Sequence, residues 1–375
     1  IHRGFGEALS RRGHDVHVVY LFPGLDTARP PFDSRGIRVH LIPPAEPWHS
    51  LGRWAARWRE KPVSTHTAAP AVVRRILEIE PDLVHWHGTV LHLNHFLLQI
   101  ARRSREFAGK PAPPVVAHHH GGYPSEHPIL RPIQRFNLRR TARVLFTTRE
   151  QAQAFESAGM VDADGTQSEI FTEVSTRFRR REEPADPELR LRGDPAVLSV
   201  ARLAPVKDPM TTIRGFEHAR DRGLTGAVLH MCYRENDFEE EIRTYLAERP
   251  DLDAHVLLHG SVPHADMETL YNGADLFVQS SLREFSGYGL LEALACGAVP
   301  VVSDLPANRV LTDDGRVGRL FAPGEPEALG EALLELATGD LDAWKDRAHA
   351  HFENRLTYER LAAQLEQIYE SVLMR

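Results

Sequence analysis

Short apolar runs alternate with amphipathic segments along almost the whole chain. Short apolar runs are typical of strands buried in a parallel sheet, and apolar residues three or four apart are typical of helices. The predicted strands of the first half span residues 16–21, 39–42, 83–86, 115–118 and 144–147, with helices at 70–80 and 91–107. The pattern predicts an α/β fold in which helices cover both faces of a parallel sheet.

The alternation is interrupted by a polar stretch over residues 179–195 that carries three prolines and many charges, which is typical of a linker. It then restarts, with strands at 196–202, 227–233, 255–260, 276–280 and 299–303 and helices at 209–222, 238–248, 266–273 and 287–296. We therefore expect two doubly wound α/β domains, at 1–180 and 196–352, joined by a linker at 181–195. The tail from residue 341 onward is predicted to be helical throughout.

Composition agrees with this picture. A chain of 375 residues exceeds one ordinary core, and 42% hydrophobic with 26% charged residues is usual for a soluble globular protein. The chain contains no run of 18 apolar residues, so the sequence predicts no membrane-spanning helix. The two cysteines, Cys232 and Cys296, exclude a disulfide framework and favour a reducing, cytoplasmic compartment. Because a helix opens the chain, we expect an earlier strand and loop, with part of the first domain's site, before residue 1.

Charge is divided unevenly between the halves. Residues 1–190 carry 27 Lys plus Arg against 21 Asp plus Glu, and the remainder carries 18 against 31. The positive first half suggests an anionic partner. Two domains whose charges diverged without function would give the same imbalance.

Two segments of the second domain carry chemistry suited to phosphate. Arg202 and Lys207 lie on the loop after the first strand of that domain, where two cations could hold a diphosphate. Further on, Ser286 is predicted to cap a helix whose uncrowded start, Gly287 to Gly289, would favour an anion. Glu284 and Glu292 flank that helix start, so two carboxylates could reach different parts of one ligand.

These residues carry a resemblance to a known family. The pair Glu284 and Glu292, followed by Pro300-Val301-Val302, resembles the E-x7-E signature of family-4 glycosyltransferases (group 1, GT-B fold). The loop with Arg202 and Lys207 is similar to that family's basic donor-phosphate loop, and the resemblance covers nearly the whole chain. It implies two Rossmann-like domains facing a central cleft, with a C-terminal helix at 353–375 packing back on the first domain.

The resemblance also implies a function and roles. A retaining enzyme would transfer a sugar from a nucleotide-diphosphate sugar to a glycan, lipid-linked or small-molecule acceptor in cell-envelope glycan biosynthesis. Glu284 would act in catalysis by holding donor-sugar hydroxyls, and Glu292 would hold the ribose. The implied donor-binding set is Arg202, Lys207, Ser286, Gly287, Tyr288 and Glu292. Because cationic side chains and the helix start do the work of a cation, no metal or other cofactor is expected.

The chain departs from the family pattern at three places. Phe285-Ser286-Gly287 stands where the family often has Gly-Phe-Gly, and Tyr233 to Asn236 lacks its Gly-x-Gly-Pro stretch. Pro306-Ala307-Asn308-Arg309 replaces Gly-Gly-x-x-Glu. The base and the sugar of the donor are therefore not transferable from the family.

Histidines mark the first domain. Residues 118–122 read His-His-His-Gly-Gly at a strand end, where alternation places His118 and His120 on one face and His119 on the other. By the resemblance His120 borders the reacting sugar as a catalytic hydrogen-bonding group, and His87 lines the same cleft. A metal site at His85, His87 and the histidine run is the alternative, though no carboxylate stands among them. Asp162-Ala163-Asp164 matches a metal-binding D-x-D but sits in a polar loop.

A basic surface in the first half suggests peripheral contact with an anionic membrane. Trp54 and Trp58 lie one helical turn apart among basic residues. The cations concerned are Arg53, Arg57, Arg59, Lys61, Arg131, Arg135, Arg139 and Arg140. Two half-buried tryptophans on an ordinary helix would produce the same pattern.

Other classes of function on the same fold are alternatives to the transferase. A sugar-nucleotide epimerase or hydrolase of the same fold would need an added acid–base pair, and a catalytically inactive nucleotide-binding relative would keep the same site. A Rossmann dehydrogenase is disfavoured because no G-x-G-x-x-G follows a strand. Nucleic acid as a partner is disfavoured by the net charge of −7.

Overall fold

The computed structural model describes residues 2–21, 36–42, 70–88, 93–172, 174–181, 189–234 and 237–374. The chain divides into two compact units. Unit 1 comprises residues 1–173 and 358–375, and unit 2 comprises residues 174–357.

Unit 1 is built from parallel strands that alternate with helices. Its strands are β1 (Val16–Leu21), β2 (Ile37–Ile42), β3 (Val84–His87), β4 (Val115–His118), β5 (Arg143–Phe146) and β6 (Ser168–Ile170). Its helices are α1 (His2–Arg11), α2 (Pro70–Ile79), α3 (Leu93–Phe107), α4 (Leu130–Leu138) and α5 (Arg149–Ser157), before one C-terminal helix described below. The described strands form one parallel pair, β1-β2, and one parallel sheet in the order β3-β4-β5-β6.

Helices cover both faces of the unit 1 sheet. Val84 and Val115 pack with α2 and α3, whereas Val116, on β4, packs with Phe5 of α1. Because successive residues of a strand point to opposite faces, α1 and α2 lie on opposite sides of the sheet. This arrangement confirms the predicted α/β layering.

Unit 2 repeats the design around one six-stranded parallel sheet of the described residues, in the order β12-β11-β10-β7-β8-β9. The strands are β7 (Ala196–Val200), β8 (Val228–Cys232), β9 (Val256–Gly260), β10 (Leu276–Gln279), β11 (Val299–Ser303) and β12 (Arg319–Phe321). The helices are α6 (Pro209–Asp221), α7 (Glu239–Ala247), α8 (Pro250–Asp253), α9 (His264–Gly273), α10 (Tyr288–Cys296), α11 (Pro306–Thr312), α12 (Pro326–Thr338) and α13 (Leu341–Arg355). Strand order on both sides of β7 is that of a doubly wound domain, as predicted.

The core of unit 2 lies between this sheet and its helices. Val197, Leu276 and Val299 are fully buried on neighbouring strands. Cys232 and Cys296 are free and buried, so they serve as small core residues.

The tail is helical, as predicted, apart from a short break, and its C-terminal helix begins at residue 358 rather than at 353. It breaks after α13, and α14 (Tyr358–Leu373) follows. Leu356 at the break is buried, and its carbonyl accepts a hydrogen bond from Ser175 Oγ at 2.5 Å. That contact fixes the end of α13 in unit 2, and the next helix belongs to unit 1.

Helix α14 packs on α1, so the predicted return of the C-terminus to the first domain is confirmed. Tyr358 meets the ring of Phe5 edge-on, with centroids 5.2 Å apart. Glu366 pairs with Arg12 and lies 3.0 Å from His14 Nε2. The contacts of Glu366 and the contact between the two aromatic rings together hold α14 against α1 and the turn that follows it.

Candidate functional site

The two phosphate-type segments of unit 2 leave neighbouring strands at the same edge of the sheet. Strand β7 leads into the loop at 201–208, and β10 leads into residues 280–287. Leu276 pairs with Val197 and Phe277 with Leu198, so the strands run side by side and in parallel. The amide of Leu282 donates to the carbonyl of Val206 at 2.9 Å, which ties the two loops together.

Lys207 and Glu284 form an ion pair across these loops. Lys207 Nζ contacts Glu284 Oε2, and the two side chains are only 15% and 14% exposed. Gln279 Nε2 donates to the same oxygen at 3.3 Å, and the amide of Phe285 donates to Oε1 at 3.1 Å. Both carboxylate oxygens of Glu284 are therefore held by groups of its own strand end and of the facing loop.

The loop that carries Lys207 is held by hydrogen bonds around Asp208, from residues that were not predicted from the sequence. Ser280 Oγ donates to the Asp208 carbonyl at 2.7 Å, and Thr212 Oγ1 lies 2.7 Å from Ser280 Oγ. Asp208 adopts a left-handed conformation and caps α6, with its carboxylate accepting from Thr211 N at 3.3 Å. An Asp directly before a Pro at a helix start is a capping signal that could have been read from the sequence.

The start of α10 corrects one prediction. Gly287, not Ser286, is the N-cap residue, with φ 58° and ψ 38°. Only glycine adopts this left-handed conformation at little cost, and a Cβ here would lie 2.6 Å from Leu311 Cδ1. Ser286 therefore precedes the cap, and the helix start is shaped by backbone conformation rather than by a hydroxyl.

Gly289 serves packing. A Cβ at this position would lie 3.2 Å from Phe277 Cζ and 3.5 Å from the carbonyl of Val200. The absence of a side chain lets the first turn of α10 rest on the carboxyl ends of β7 and β10. The helix start is thereby held next to the loops of Lys207 and Glu284.

Glu292 lies one turn further along α10, against α9. Burial raises the pKa of its carboxyl, while nearby Tyr271 and His264 lower it by smaller amounts. Tyr271 is fully buried, and its pKa is raised well above the ordinary value by burial and by the charge of Glu292. The Tyr271 hydroxyl has no hydrogen bond of ordinary geometry among the described residues. Sequence reasoning found Glu292 but not Tyr271, which lies 21 positions earlier on a separate helix.

The remaining predicted donor residues lie around this edge. The side chain of Arg202 is exposed on the loop after β7, and Tyr288 is 47% exposed in the first turn of α10. Arg309 forms a two-point ion pair with Asp304, with contacts of 2.5 and 2.8 Å. Its guanidinium group is therefore held by a neighbouring carboxylate at the surface. The roles of Arg202 and Tyr288 stay predictions.

Imidazoles gather on one face of the unit 1 sheet. His87 of β3 is in register with His118 of β4, and His87 Nδ1 lies 3.3 Å from His120 Nε2. The His85 and His87 rings stack at 4.1 Å, and His85 Nδ1 lies 2.5 Å from the Tyr369 hydroxyl of α14. His119 points away and packs against other rings of unit 1, as strand alternation predicts.

The alternative metal site would be formed by three residues of the histidine cluster. Ligand atoms of His85, His87 and His118 lie within 4.8 Å of one another. The rings of His85 and His118 are 17° from parallel, however, and those of His85 and His87 are 25°. A ring nitrogen binds a metal in the plane of its ring, so the near-parallel rings would have to rotate to hold one ion, whereas the rings of His87 and His118 already lie 41° apart.

Two further expectations concern surface segments. Asp164 Oδ1 accepts from the amide of Thr166 at 3.0 Å and from its hydroxyl at 2.9 Å, and these bonds lower the pKa of the Asp164 carboxyl. Asp162-Ala163-Asp164 is thus part of an exposed turn. Trp54, Trp58 and their basic neighbours lie outside the described residues. No described helix has the length and apolar character needed to cross a bilayer.

Comparison with known proteins places this architecture in a class. The Anabaena protein HepE, whose crystal contains UDP and glucose, is 18% identical and superposes with a TM-score of 0.59 over 90% of this chain and 87% of its own. The fold is therefore GT-B. Residues 181–353 match the model of glycosyl transferases group 1, and residues 3–167 match that of the glycosyl transferase 4-like domain. The chain belongs to the group 1 glycosyltransferases of family 4.

Curated relatives share parts of the sequence. The chain is 32% identical over 138 residues to a phosphatidyl-myo-inositol mannosyltransferase of Mycobacterium leprae. That match covers 36% of this chain and spans 36% of the length of the relative. The chain is also 25% identical over 304 residues to a GDP-mannose:cellobiosyl-diphosphopolyprenol alpha-mannosyltransferase of Xanthomonas campestris. This second match covers 78% of this chain and 72% of that protein.

Proposed function

We propose that the protein transfers a mannosyl group from GDP-mannose, with retention of configuration and without a metal ion, to a lipid-linked or glycan acceptor. The observation that carries the donor chemistry is the Lys207–Glu284 ion pair beside the start of α10. The choice of mannose rests on the names of the two curated relatives, and the choice of guanosine rests on the name of the Xanthomonas campestris relative.

Cationic groups at the sheet edge suit a departing diphosphate. Lys207 supplies an ammonium group, Arg202 a guanidinium group on the same loop, and α10 the partial positive charge of a helix N-terminus. Groups fixed in advance where negative charge develops lower the barrier by about 3–4 kcal/mol for a single donor. These protein charges would take the place of a cation, which is the basis for proposing metal independence.

The two carboxylates near the helix start would bind different parts of the donor, Glu284 the sugar and Glu292 the ribose. Glu284 is held rigidly by Lys207, Gln279 and a backbone amide, so it can accept from sugar hydroxyls without reorganising. Glu292 stands one turn deeper in α10, where a carboxylate can accept from the ribose hydroxyls. When a diphosphate binds, the ammonium group of Lys207 turns from Glu284 to phosphate, and Glu284 gains capacity to accept from the sugar.

Unit 1 supplies the acceptor side in this proposal. His87 and His120 would offer hydrogen bonds to an acceptor hydroxyl, since neutral imidazole both donates and accepts. Arg131, Arg135 and Arg139 repeat every four residues and are exposed along α4, so they form one basic stripe. Such a stripe suits peripheral contact with an anionic membrane on its cytoplasmic side, where a lipid-linked acceptor would lie.

Thermal unfolding with GDP, UDP, ADP and their sugars, each with and without EDTA, tests the donor. We expect GDP and GDP-mannose to raise the midpoint equally with and without chelator. Stabilisation that needs a divalent ion would contradict metal independence, and stabilisation by UDP alone would replace the proposed base. Turnover of the bound sugar nucleotide without any acceptor would favour the epimerase or hydrolase alternative.

A further inference from the structure

Four imidazoles form a packed array at the end of the unit 1 sheet. His85 and His87 belong to β3, and His118 and His120 lie at the end of β4. Ring centroids of neighbouring imidazoles lie 4.1–5.5 Å apart, and each ring rests on at least two others. In such close packing one ring cannot turn without displacing its neighbours. The orientation of any one ring therefore limits the orientation of the other three.

Two aromatic residues from other elements hold this imidazole array in place. Tyr369 of α14 has its hydroxyl 2.5 Å from His85 Nδ1, and its ring meets the His85 ring edge-on with centroids 5.7 Å apart. Phe171, which is 2% exposed, meets the ring of His118 edge-on at 5.4 Å. One imidazole of each strand is thus held from outside the array.

The hydrogen bond between Tyr369 and His85 has a defined direction. Burial raises the pKa of Tyr369, so the phenol keeps its proton at neutral pH. Among the described residues, the partner of this hydroxyl is His85 Nδ1. The hydroxyl donates and Nδ1 accepts, which leaves the proton of a neutral His85 ring on Nε2. Tyr369 therefore sets both the tautomer and the angle of this ring.

The apolar face of α14 brings Tyr369 to the array. Leu365 and Val372, four residues before Tyr369 and three after it, are buried in one cluster with Val116 of β4. Residues three and four apart lie on the same face of a helix. Val116 lies two positions before His118 and therefore on the same face of the strand. The packing of α14 on the sheet thus fixes where Tyr369 meets the imidazoles.

We propose that Tyr369 is a positioning residue for His87 and His120, an inference that rests on the proposed acceptor role of these two imidazoles. With His85 held by Tyr369 and His118 held on the other strand, the two remaining rings keep the arrangement in which His87 Nδ1 lies 3.3 Å from His120 Nε2. Without the hydroxyl, the His85 ring can turn, and the rings stacked on it follow. Tyr369 acts through these rings rather than on the acceptor itself.

Tyr369→Phe tests this role because it removes one hydroxyl and keeps the aromatic ring in its apolar surroundings. The measurement is a long-range proton–nitrogen NMR spectrum of protein isotopically labelled in its histidine rings. It is recorded without ligand at about pH 8, where ordinary imidazoles are neutral. We expect the His85 Nδ1 signal to shift, and the ring signals of His87 and His120 to shift with it. Substitution of each histidine of the array with glutamine in turn assigns the signals.

Tyr358→Phe is the matched control. Tyr358 lies on the same helix, eleven residues earlier, and its ring packs edge-on against Phe5 of α1 with centroids 5.2 Å apart. The control removes a tyrosine hydroxyl from α14 at its contact with α1, so the signals of the imidazole array should stay in place.

Two spectral results would overturn the positioning role. A shift of the His85 signal alone, with His87 and His120 unchanged, would show that the contact is not passed on through the array. The second result concerns Tyr369→Phe in a His85→Gln background, where the ring through which the hydroxyl acts is gone. A further shift at His87 and His120 in that double variant would show that the hydroxyl acts by another route.

Calorimetric titration with GDP-mannose separates this inference from the proposed function. Tyr369→Phe should bind GDP-mannose as the unsubstituted protein does, because the groups proposed to bind the donor belong to unit 2. Weaker binding by this variant would move the effect of Tyr369 to the donor and contradict the positioning role. An unsubstituted protein that does not bind GDP-mannose would contradict the donor assignment, whatever the histidine spectra show.

Discussion

Lys207 and Glu284 pair across two loops that leave neighbouring strands, and neither side chain is more than 15% exposed. Their positions, 77 residues apart in sequence, are fixed by the pairing of β7 with β10 and by the hydrogen bond from Leu282 to Val206. The charges of Lys207 and Glu284 therefore neutralise each other when no donor is bound. The ion pair removes part of the cost of holding two charges away from water before any ligand arrives.

Replacing Lys207 with alanine should weaken nucleoside-diphosphate binding by about tenfold to a hundredfold, since a hydrogen bond to a charged group contributes about 1.5–3 kcal/mol. Isothermal titration with GDP measures this directly. Lys345→Ala is the matched control, because Lys345 also pairs with a carboxylate of unit 2, Asp275, at 2.8 Å. Equal loss of affinity in both variants would show that Lys207 acts only through stability.

Glu292 predicts a specific dependence of stability on pH. Burial raises the pKa of its carboxyl in the folded protein. The folded state therefore binds the proton more tightly than the unfolded state, and this carboxyl destabilises the protein increasingly as pH rises from its ordinary pKa through the folded pKa. Glu292→Gln should raise the unfolding midpoint at pH 8 while weakening GDP binding, and should leave the midpoint nearly unchanged below about pH 4. A stabilisation that is independent of pH would contradict the assignment to this carboxyl.

Tyr271→Phe separates positioning from folding. The Tyr271 hydroxyl lowers the pKa of the Glu292 carboxyl in the folded protein, so its removal should lower the free energy of unfolding where that carboxyl is ionised and leave it nearly unchanged below about pH 4, where the carboxyl is protonated. The same hydroxyl lowers the pKa of Glu292, so its loss should raise that pKa. If GDP binding needs the ionised carboxylate, the acid limb of the affinity–pH profile then moves to higher pH. An unchanged profile together with unchanged stability would remove Tyr271 from the site.

The two doubly wound domains could be predicted from the sequence because short apolar runs that alternate with amphipathic segments are a strong signal of buried strands. It missed β6 and β12, which have three residues each and lie at sheet ends, because Ser168, Glu169 and Arg319 break the apolar pattern. Polar or charged residues are common where a strand has a partner on one side only.

The sequence named candidate site residues one by one but not the contacts between them. Lys207, Glu284 and Glu292 were named as candidates, yet the ion pair and the approach of Tyr271 depend on how separate elements pack. Ser286 was wrongly placed as the cap because serine is the commoner choice by type. The need for glycine at 287 comes from its left-handed conformation and from the close approach of Leu311, and the approach of Leu311 is a contact that no local pattern contains.

Gly287→Ala tests that close approach. Two costs should add, a left-handed conformation worth about 1–2 kcal/mol and a steric clash of about 1–3 kcal/mol. Gly324→Ala is the control, because Gly324 also has a positive φ, 79°, but a Cβ there meets nothing within 4 Å. Urea unfolding should show a clearly larger loss for Gly287→Ala, and GDP binding should weaken only in that variant as the start of α10 shifts. Equal losses in the two variants would mean that Leu311 yields freely and that the helix start is not fixed by this contact.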